Sequence, residues 1–556
     1  MLHPLVILST MILGVVNGAK ITLILSFWFA GIAQWWIAKE LKLGRLPRIW
    51  SAGIAVVGGH LAGRMEQGNF GIVLSTAMAS LVFGAILSVA NGKGKRASVL
   101  LGIVLASAFL SGQGYIQVGL VGAFPALLFL IFDNKLRLIN VWKYFLLAFI
   151  IAGLLSAVFI IPFTNLYPNF VKYLDLEFDV AQPFKYIPLN YVIDTLEYYK
   201  SDALDKHPFP ALYTLFIGWI PILLGIYGLT NIKKLSKSVK WFFITSILLV
   251  LSFSSGDALK LISKIWEGAA GVRHPSLIAG LTVPFILGLS AAGLDKLLKR
   301  DWPKIELKFS EDNGQQTKSI PTRWIIIIPL IFSLYQGYQF TKLWIHTYEE
   351  NPVVAQVIEG LKTDSLQWVQ PPFGEHIYIE PAVRMGLKIS PGIMTWRWKD
   401  RSFPDAYLEA SHSGQPSGTS GIKKKIDDII IYSRPEQEYA YVINESNKTP
   451  CQAQGTGGNL TVTCDSEHGG QLIVKEYNWS GWRGWMDETE INIFGAQWIS
   501  VEVPSGFHVY TFRYLPWDVP LGIGLSLIGI LLSVSLWYFS TPRLDKILDD
   551  PTIIKK

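Results

Sequence analysis

The chain has 556 residues, of which 50% are hydrophobic, 13% aromatic and only 16% charged. Soluble proteins carry about 25% charged residues, so the composition excludes a disordered or tail-like chain. The 49 Lys and Arg against 42 Asp and Glu give a net charge of +7. Most of the basic residues fall in short segments between apolar runs, which reads as membrane topology and not as a polyanion site. No nucleic-acid partner is expected, and lipid headgroups suit such a scattered basic surface.

In chain order, apolar blocks lie near 20–38, 48–62, 70–90, 97–112, 116–132, 144–163, 212–229, 241–255, 276–298, 324–345 and 517–540. Their lengths approach a bilayer core, so the sequence predicts a polytopic α-helical membrane protein with about eleven transmembrane helices. Residues 1–18 form a further apolar stretch without the basic start and cleavage site of a secretory signal, and read as an anchor or interfacial helix.

Lys and Arg concentrate in alternate loops: Lys39, Lys42, Arg45 and Arg48; Lys93, Lys95 and Arg96; Lys135, Arg137 and Lys143; and Lys233, Lys234, Lys237 and Lys240. The positive-inside rule makes these cytoplasmic, together with 299–323 and the tail 541–556. The loops 164–211 and 256–275 and the segment 346–516 then face outward, in a cell membrane crossed many times. Residues 1–345 are expected to form the helical bundle, 346–516 an extracytoplasmic domain, and 517–540 the final span.

Segment 346–516 replaces apolar runs by Gly, Ser, Pro and charges between short alternating stretches, which predicts a mainly β, antiparallel domain. Ile499, Val501 and Val503, then Pro504-Ser505-Gly506 and a return strand from His508 to Tyr514, predict one hairpin. Cys451 and Cys464 flank Gly455, Gly457 and Gly458 in a second. Their compartment and spacing predict a disulfide, with free thiols as the alternative. Glycosylation sequons begin at Asn444, Asn447, Asn459 and Asn478, a pattern that also arises by chance in polar domains.

Three stretches resemble a known family. The run Trp479-Ser480-Gly481-Trp482-Arg483-Gly484-Trp485-Met486-Asp487, then Val503-Pro504-Ser505-Gly506-Phe507-His508, Phe512-Arg513-Tyr514 and a Gly-rich last helix resemble the close of the YfhO-like bacterial membrane proteins, of the GT-C glycosyltransferase class. Val272-Arg273-His274-Pro275-Ser276 is similar to the family's Arg-aromatic-Pro-Ser/Ala-Arg stretch, with Leu277 in place of the second arginine. Gly114-Tyr115-Ile116-Gln117 stands where the family often has Gly-His-Pro-Gln. The resemblance covers nearly the whole chain at low specificity. It implies a GT-C-like fold and transfer of a sugar from a polyprenyl-phosphate lipid at the outer face. It also implies a catalytic Asp or Glu in a first large outer loop, which deprotonates the acceptor hydroxyl. That loop and the helix before it are not found here. The chain is expected either to begin late, to use other carboxylates, or to be catalytically silent.

Substitute carboxylates would have to lie near the outer membrane plane. Glu66 sits beside Arg64 in a short polar loop, where an arginine fork suits a lipid phosphate, although an exposed ion pair would serve a plain turn equally well. Asp175, Glu177 and Asp179 alternate with apolar residues. In an extended run they would share a face, as hard cations such as Mg or Mn require, but an amphipathic segment has the same pattern. Arg273 and His274 open a helix where an anion could bind, or where Arg273 simply reaches headgroups. Gln117 completes the candidate lipid-phosphate set. Trp482 and Trp485 are candidates for stacking on glycan rings, with a sandwich core or an interfacial belt, which would also suit Trp479, Trp498 and Trp517, as the alternative. No P-loop, dinucleotide-binding glycine pattern, HExxH or GxSxG appears in its required context. Three functions stay open: an integral membrane glycosyltransferase, a silent lipid- or glycan-binding relative, and a transporter or flippase. The transporter reading lacks mid-helix ionisable groups and an inverted repeat.

Overall fold

The computed structural model describes residues 2–540 apart from 67–69, 133–134, 173, 179–180, 200–212, 231–236, 301, 303, 312–313, 322–324, 346–350, 373–375, 391–395, 400, 413–419 and 446. The chain divides into two units. One comprises 1–160, 174–346 and 522–556, and the other comprises 161–173 and 347–521. The stretch 161–173 therefore belongs with the second unit although it precedes much of the first.

The first unit is helical. Among the described residues six helices are long and apolar enough to cross a membrane: Pro4–Glu40, Phe70–Ala90, Gly114–Ile131, Lys237–Ser254, Pro275–Leu298 and Asp518–Phe539. A pair bent by 66° at residue 156 would make a seventh. Helix occupies part of every predicted apolar block, and among the described residues six or seven of the expected eleven meet the length and apolarity of a full span, since some blocks are cut short by glycines and polar residues. Block 48–62 breaks at Gly58, which is extended (ψ 143°), into helices Arg45–Val57 and Gly59–Glu66. Block 212–229 yields only Trp219–Thr230. The apolar stretch 1–18 holds the reversal of a helical hairpin at Gly14 (φ +75°), with the first arm starting at Pro4 and the second running on to Glu40. The Ser9 and Thr22 hydroxyls bond across it at 2.8 Å, and a Cβ on Gly18 would lie 2.6 Å from Thr10 Cα.

Phe70–Ala90 and Pro275–Leu298 are the most enclosed of these helices, and Phe83 and Phe285 meet between them with ring centroids 4.3 Å apart. Helix Trp219–Thr230 crosses Val283–Leu298 at glycines. A Cβ on Gly293 would lie 2.0 Å from Leu224 O, and one on Gly228 would lie 2.3 Å from Leu289 O. Such close approach is how helices associate where lipid removes the hydrophobic drive between them. The predicted loop 299–323 contains a two-stranded antiparallel ladder, Lys304–Glu311 with Gly314–Pro321.

The second unit holds a mixed sheet and a sandwich. The mixed sheet orders Lys388–Ile389, Trp368–Gln370, Leu408–Ser411, Ile429–Ser433 and Ser420–Ile426. Its first two pairings are parallel, which corrects the expectation of a purely antiparallel domain. Parallel pairing needs a crossover, and helix Ile379–Arg384 lies on the connection between the first pair. Helix Pro352–Gly360, with Val354, Val357 and Ile358 at helical spacing, packs its apolar stripe into the same core.

The sandwich faces a four-stranded sheet (Asn447–Pro450, Ala440–Asn444, Gly470–Tyr477, Trp498–Val503) with a five-stranded one (Gln452–Thr456, Asn459–Ser466, Gly506–Tyr514, Trp482–Met486, Thr489–Ile491). The hairpin predicted across Pro504-Ser505-Gly506 is not formed. Trp498–Val503 pairs with Gly470–Tyr477, whereas Gly506–Tyr514 pairs with Asn459–Ser466 and Trp482–Met486. Both strands alternate as predicted, but Ile499, Val501 and Val503 enter the core from one sheet and Tyr510 and Phe512 from the other. The turn is an arch between sheets. The second predicted hairpin is present, Gln452–Thr456 with Asn459–Ser466, turning at Gly457 (φ +60°), which favours glycine. At its open end Cys451 and Cys464 are joined, with Cα atoms 4.7 Å apart.

Candidate functional site

The chain from 267 to 282 gathers most of the candidate residues of the first unit. It runs as two 3-10 segments, Glu267–Gly271 and Pro275–Thr282, separated by Val272-Arg273-His274. Pro275 fixes the entry to the second segment and cannot donate a backbone hydrogen bond.

Arg273 is half-buried, yet its Nε is wholly enclosed and has no hydrogen-bond partner among the described residues. Its guanidinium lies within hydrogen-bonding reach of the Tyr115 hydroxyl. The Tyr115 ring meets His274 edge-on with centroids 5.9 Å apart. Arg273, His274 and Tyr115 are thus brought together. An enclosed donor without an acceptor is costly, and more so on a cation.

Arg64 comes to the same segment in a different state. It is fully enclosed, and its guanidinium donates to the carbonyls of His60, Thr214 (3.2 Å) and Leu277 (3.2 Å). The expected fork open to a lipid phosphate is therefore spent on backbone, where it ties the short helix Gly59–Glu66 to two other segments. Only its Nε is unpartnered among the described residues. Gln117, two residues beyond Tyr115, donates through Nε2 to the Phe109 carbonyl and so closes the end of the preceding helix. The helical backbone ends at Glu66, whose side chain lies outside the described residues.

The acidic run is brought alongside, because Asp175 N donates to Ala270 O at 2.9 Å. The expected extended run with three carboxylates on one face is not formed. Asp175 Oδ1 accepts from Phe178 N at 2.8 Å, and Phe178 takes a left-handed φ of +56°, so the chain turns. Asp side chains favour such local backbone bonds over extension. Glu177 pairs with Lys260 at 3.1 Å on the surface, and Asp179 lies outside the described residues. Among the described residues no group of three or more His, Cys, Asp or Glu gathers in a way that could hold a metal such as Mg or Mn.

Sequence reasoning missed the polar network behind this segment. Ser276 Oγ accepts from Gln182 N at 2.9 Å. The Gln182 and Asn190 amides bond to each other at 2.5 Å, and Tyr198 OH reaches Asn190 Oδ1 at 3.1 Å. The Tyr191 hydroxyl bonds that of Thr282, and burial holds the Tyr191 phenol above its ordinary range, so it stays neutral. No local signal marks these partners, because Tyr191 and Thr282 are 91 residues apart.

In the second unit the structure separates the two tryptophans. Trp482 faces the sandwich core and donates its indole N–H to Tyr477 O at 3.1 Å. Trp485 lies on the outward face with the Arg513 guanidinium 5.7 Å from its ring centroid.

The chain is thus built as a multi-helix membrane protein carrying a mixed α/β and β-sandwich unit. No family model and no curated protein matches the sequence. Among solved structures, the chain is similar to the arabinofuranosyltransferase AftD from Mycobacteria, seen by single-particle cryo-EM. The identity is 9% and the TM-score 0.42, over 91% of this chain and 54% of that one. The chain spans about half the length of that structure.

Proposed function

We propose that this chain is an integral membrane glycosyltransferase-like protein. In this reading it takes a sugar from a polyprenyl-phosphate lipid at the outer membrane face, and Arg273 holds the lipid phosphate. The observation that supports it is the enclosed, unpartnered Nε of Arg273, beside Tyr115 and His274, in a bundle with at least six lipid-length helices among the described residues. A half-buried guanidinium with no ion pair among the described residues gains most from a phosphate reaching its accessible part, through short charge-assisted bonds. The distribution of Lys and Arg supports placing this segment and 346–516 outside, with the 541–556 tail in the cytoplasm. Arg64 serves the site from behind by fixing the Leu277 carbonyl.

One observation favours the silent-relative reading. Asp175 is committed to its own turn and Glu177 to Lys260, so neither stands ready as a base for the acceptor hydroxyl. The two readings part in one experiment, polyprenyl-phosphate binding and sugar transfer measured on the purified full chain. Arg273→Ala is expected to weaken lipid-phosphate binding about tenfold or more, and Arg273→Lys less. Binding equal to the parent in Arg273→Ala would remove the site. Binding without transfer, from every lipid-linked sugar tried, would establish the silent relative.

A further inference from the structure

The outward face of the five-stranded sheet of the sandwich carries an arrangement that the fold does not need. Strands Trp482–Met486 and Gly506–Tyr514 pair antiparallel, with Arg483 directly opposite Arg513 and Trp485 directly opposite Thr511. Directly opposed residues share a face. Gly484 and Phe512 between them are buried, while Arg483 and Arg513 are exposed and Trp485 is half-exposed. The next strand places Thr461 opposite Thr511, and the edge strand places Glu490 opposite Trp485. The result is two arginines at directly opposed positions of one face, with the Arg513 guanidinium 5.7 Å from the Trp485 ring centroid, bordered by Thr461, Thr511 and Glu490.

Like charges directly opposed across a ladder destabilise it. Neither arginine has an ion pair or hydrogen bond among the described residues, although Glu490 stands nearby. Two uncompensated arginines opposed on one exposed face fit an anionic group, which both can grip with planar forks. The half-exposed indole two residues along the same strand fits the apolar face of a sugar ring, and the threonine and glutamate side chains fit its hydroxyls. We infer that this sheet face binds an acidic glycan, a sugar chain bearing carboxylates, with Arg483 and Arg513 on a carboxylate and Trp485 under the adjoining ring. The inference is independent of sugar transfer and of Arg273.

The test uses the purified full chain and tetragalacturonate as probe, with maltotetraose as the uncharged arm and phosphatidylglycerol vesicles as the lipid arm. The expected result is saturable tetragalacturonate binding that falls about tenfold in Arg483→Ala and in Arg513→Ala, as loss of a charge-assisted bidentate contact implies. Trp485→Ala is expected to lose a similar factor, and Glu502→Ala, on the other sheet, to leave binding unchanged. All four side chains are partly or fully exposed, so the variants are expected to fold, and protease resistance equal to the parent's checks this. Three results overturn the inference: no tetragalacturonate binding by the parent, equal binding by both arginine variants, or maltotetraose binding as tight as tetragalacturonate. Vesicle binding that needs both arginines but not Trp485, without tetragalacturonate binding, also overturns it and gives the pair to a lipid surface.

Discussion

Replacing Gly293 by alanine tests how the bundle is held together. The added Cβ would sit 2.0 Å from Leu224 O and 3.0 Å from Gly228 N. Both are backbone atoms of the crossing helix, so no side chain can swing away. Ordinary contact needs about 3.5 Å, so helix Trp219–Thr230 must retreat by about 1 Å or more along its length. That retreat also stretches the bond from Ser290 Oγ to Pro221 O, now 2.6 Å. Overpacking of this kind costs about 1–3 kcal/mol, while alanine regains at most about 1 kcal/mol of helix propensity over glycine. The clash wins. Gly153→Ala is the internal control, since its Cβ meets nothing within 4 Å and only the propensity gain remains. The assay is thermal unfolding of the purified proteins in one detergent, with a drop of several degrees expected for Gly293→Ala and none for Gly153→Ala. A Gly293→Ala protein as stable as the parent would refute the close crossing.

Replacing Cys451 and Cys464 together by serine should lower the stability of the second unit by about 3 kcal/mol, the entropy returned to an unfolded loop of this length. Limited proteolysis under non-reducing conditions reads it, and an unchanged cleavage rate would count against the account. Burial, with Lys448 nearby, lowers the Lys475 pKa to about 8. Between there and the ordinary lysine value the unfolded chain binds more protons than the folded one, so stability should rise with pH over that window. Lys475→Met should flatten the rise, and an equal slope in the variant would remove Lys475 as its source. A reporter fused after Lys240 should register cytoplasm and one after Ser466 the outside. A cytoplasmic signal from the second fusion would remove any outer-face site.

The parts of this fold that were legible in the sequence are those set by short-range periodicity. Apolar runs marked the helices, and alternation marked Ile499 to Val503 and His508 to Tyr514 as strands. Partner choice was not legible. A strand with one apolar face fits a hairpin or an arch equally well, because either arrangement buries that face. Interruptions were under-read too, since Gly58 in an apolar block gives no warning that the backbone turns extended there. At the candidate site, Arg273 and His274 were singled out by the family-like stretch 272–276 and by the helix start that Pro275 marks. Arg64 was found as a cation, but its acceptors are carbonyls of Thr214 and Leu277, which no sequence pattern displays. The acidic run failed for a local reason, in that Asp175 bonds the backbone three residues on and bends the segment.

The membership of 161–173 in the second unit has a consequence for synthesis. Strand Phe170–Lys172 pairs with Trp396–Trp398, and Phe170 stacks on Trp398 with centroids 4.2 Å apart. Phe170 leaves the ribosome about 230 residues ahead of its partner, which at 5–20 residues per second is roughly 10–45 s. For that interval its edge has no native complement, and unpaired edges invite wrong pairings. A nascent chain stopped before Trp396 should expose this short strand to protease, and one extended past Trp398 should protect it.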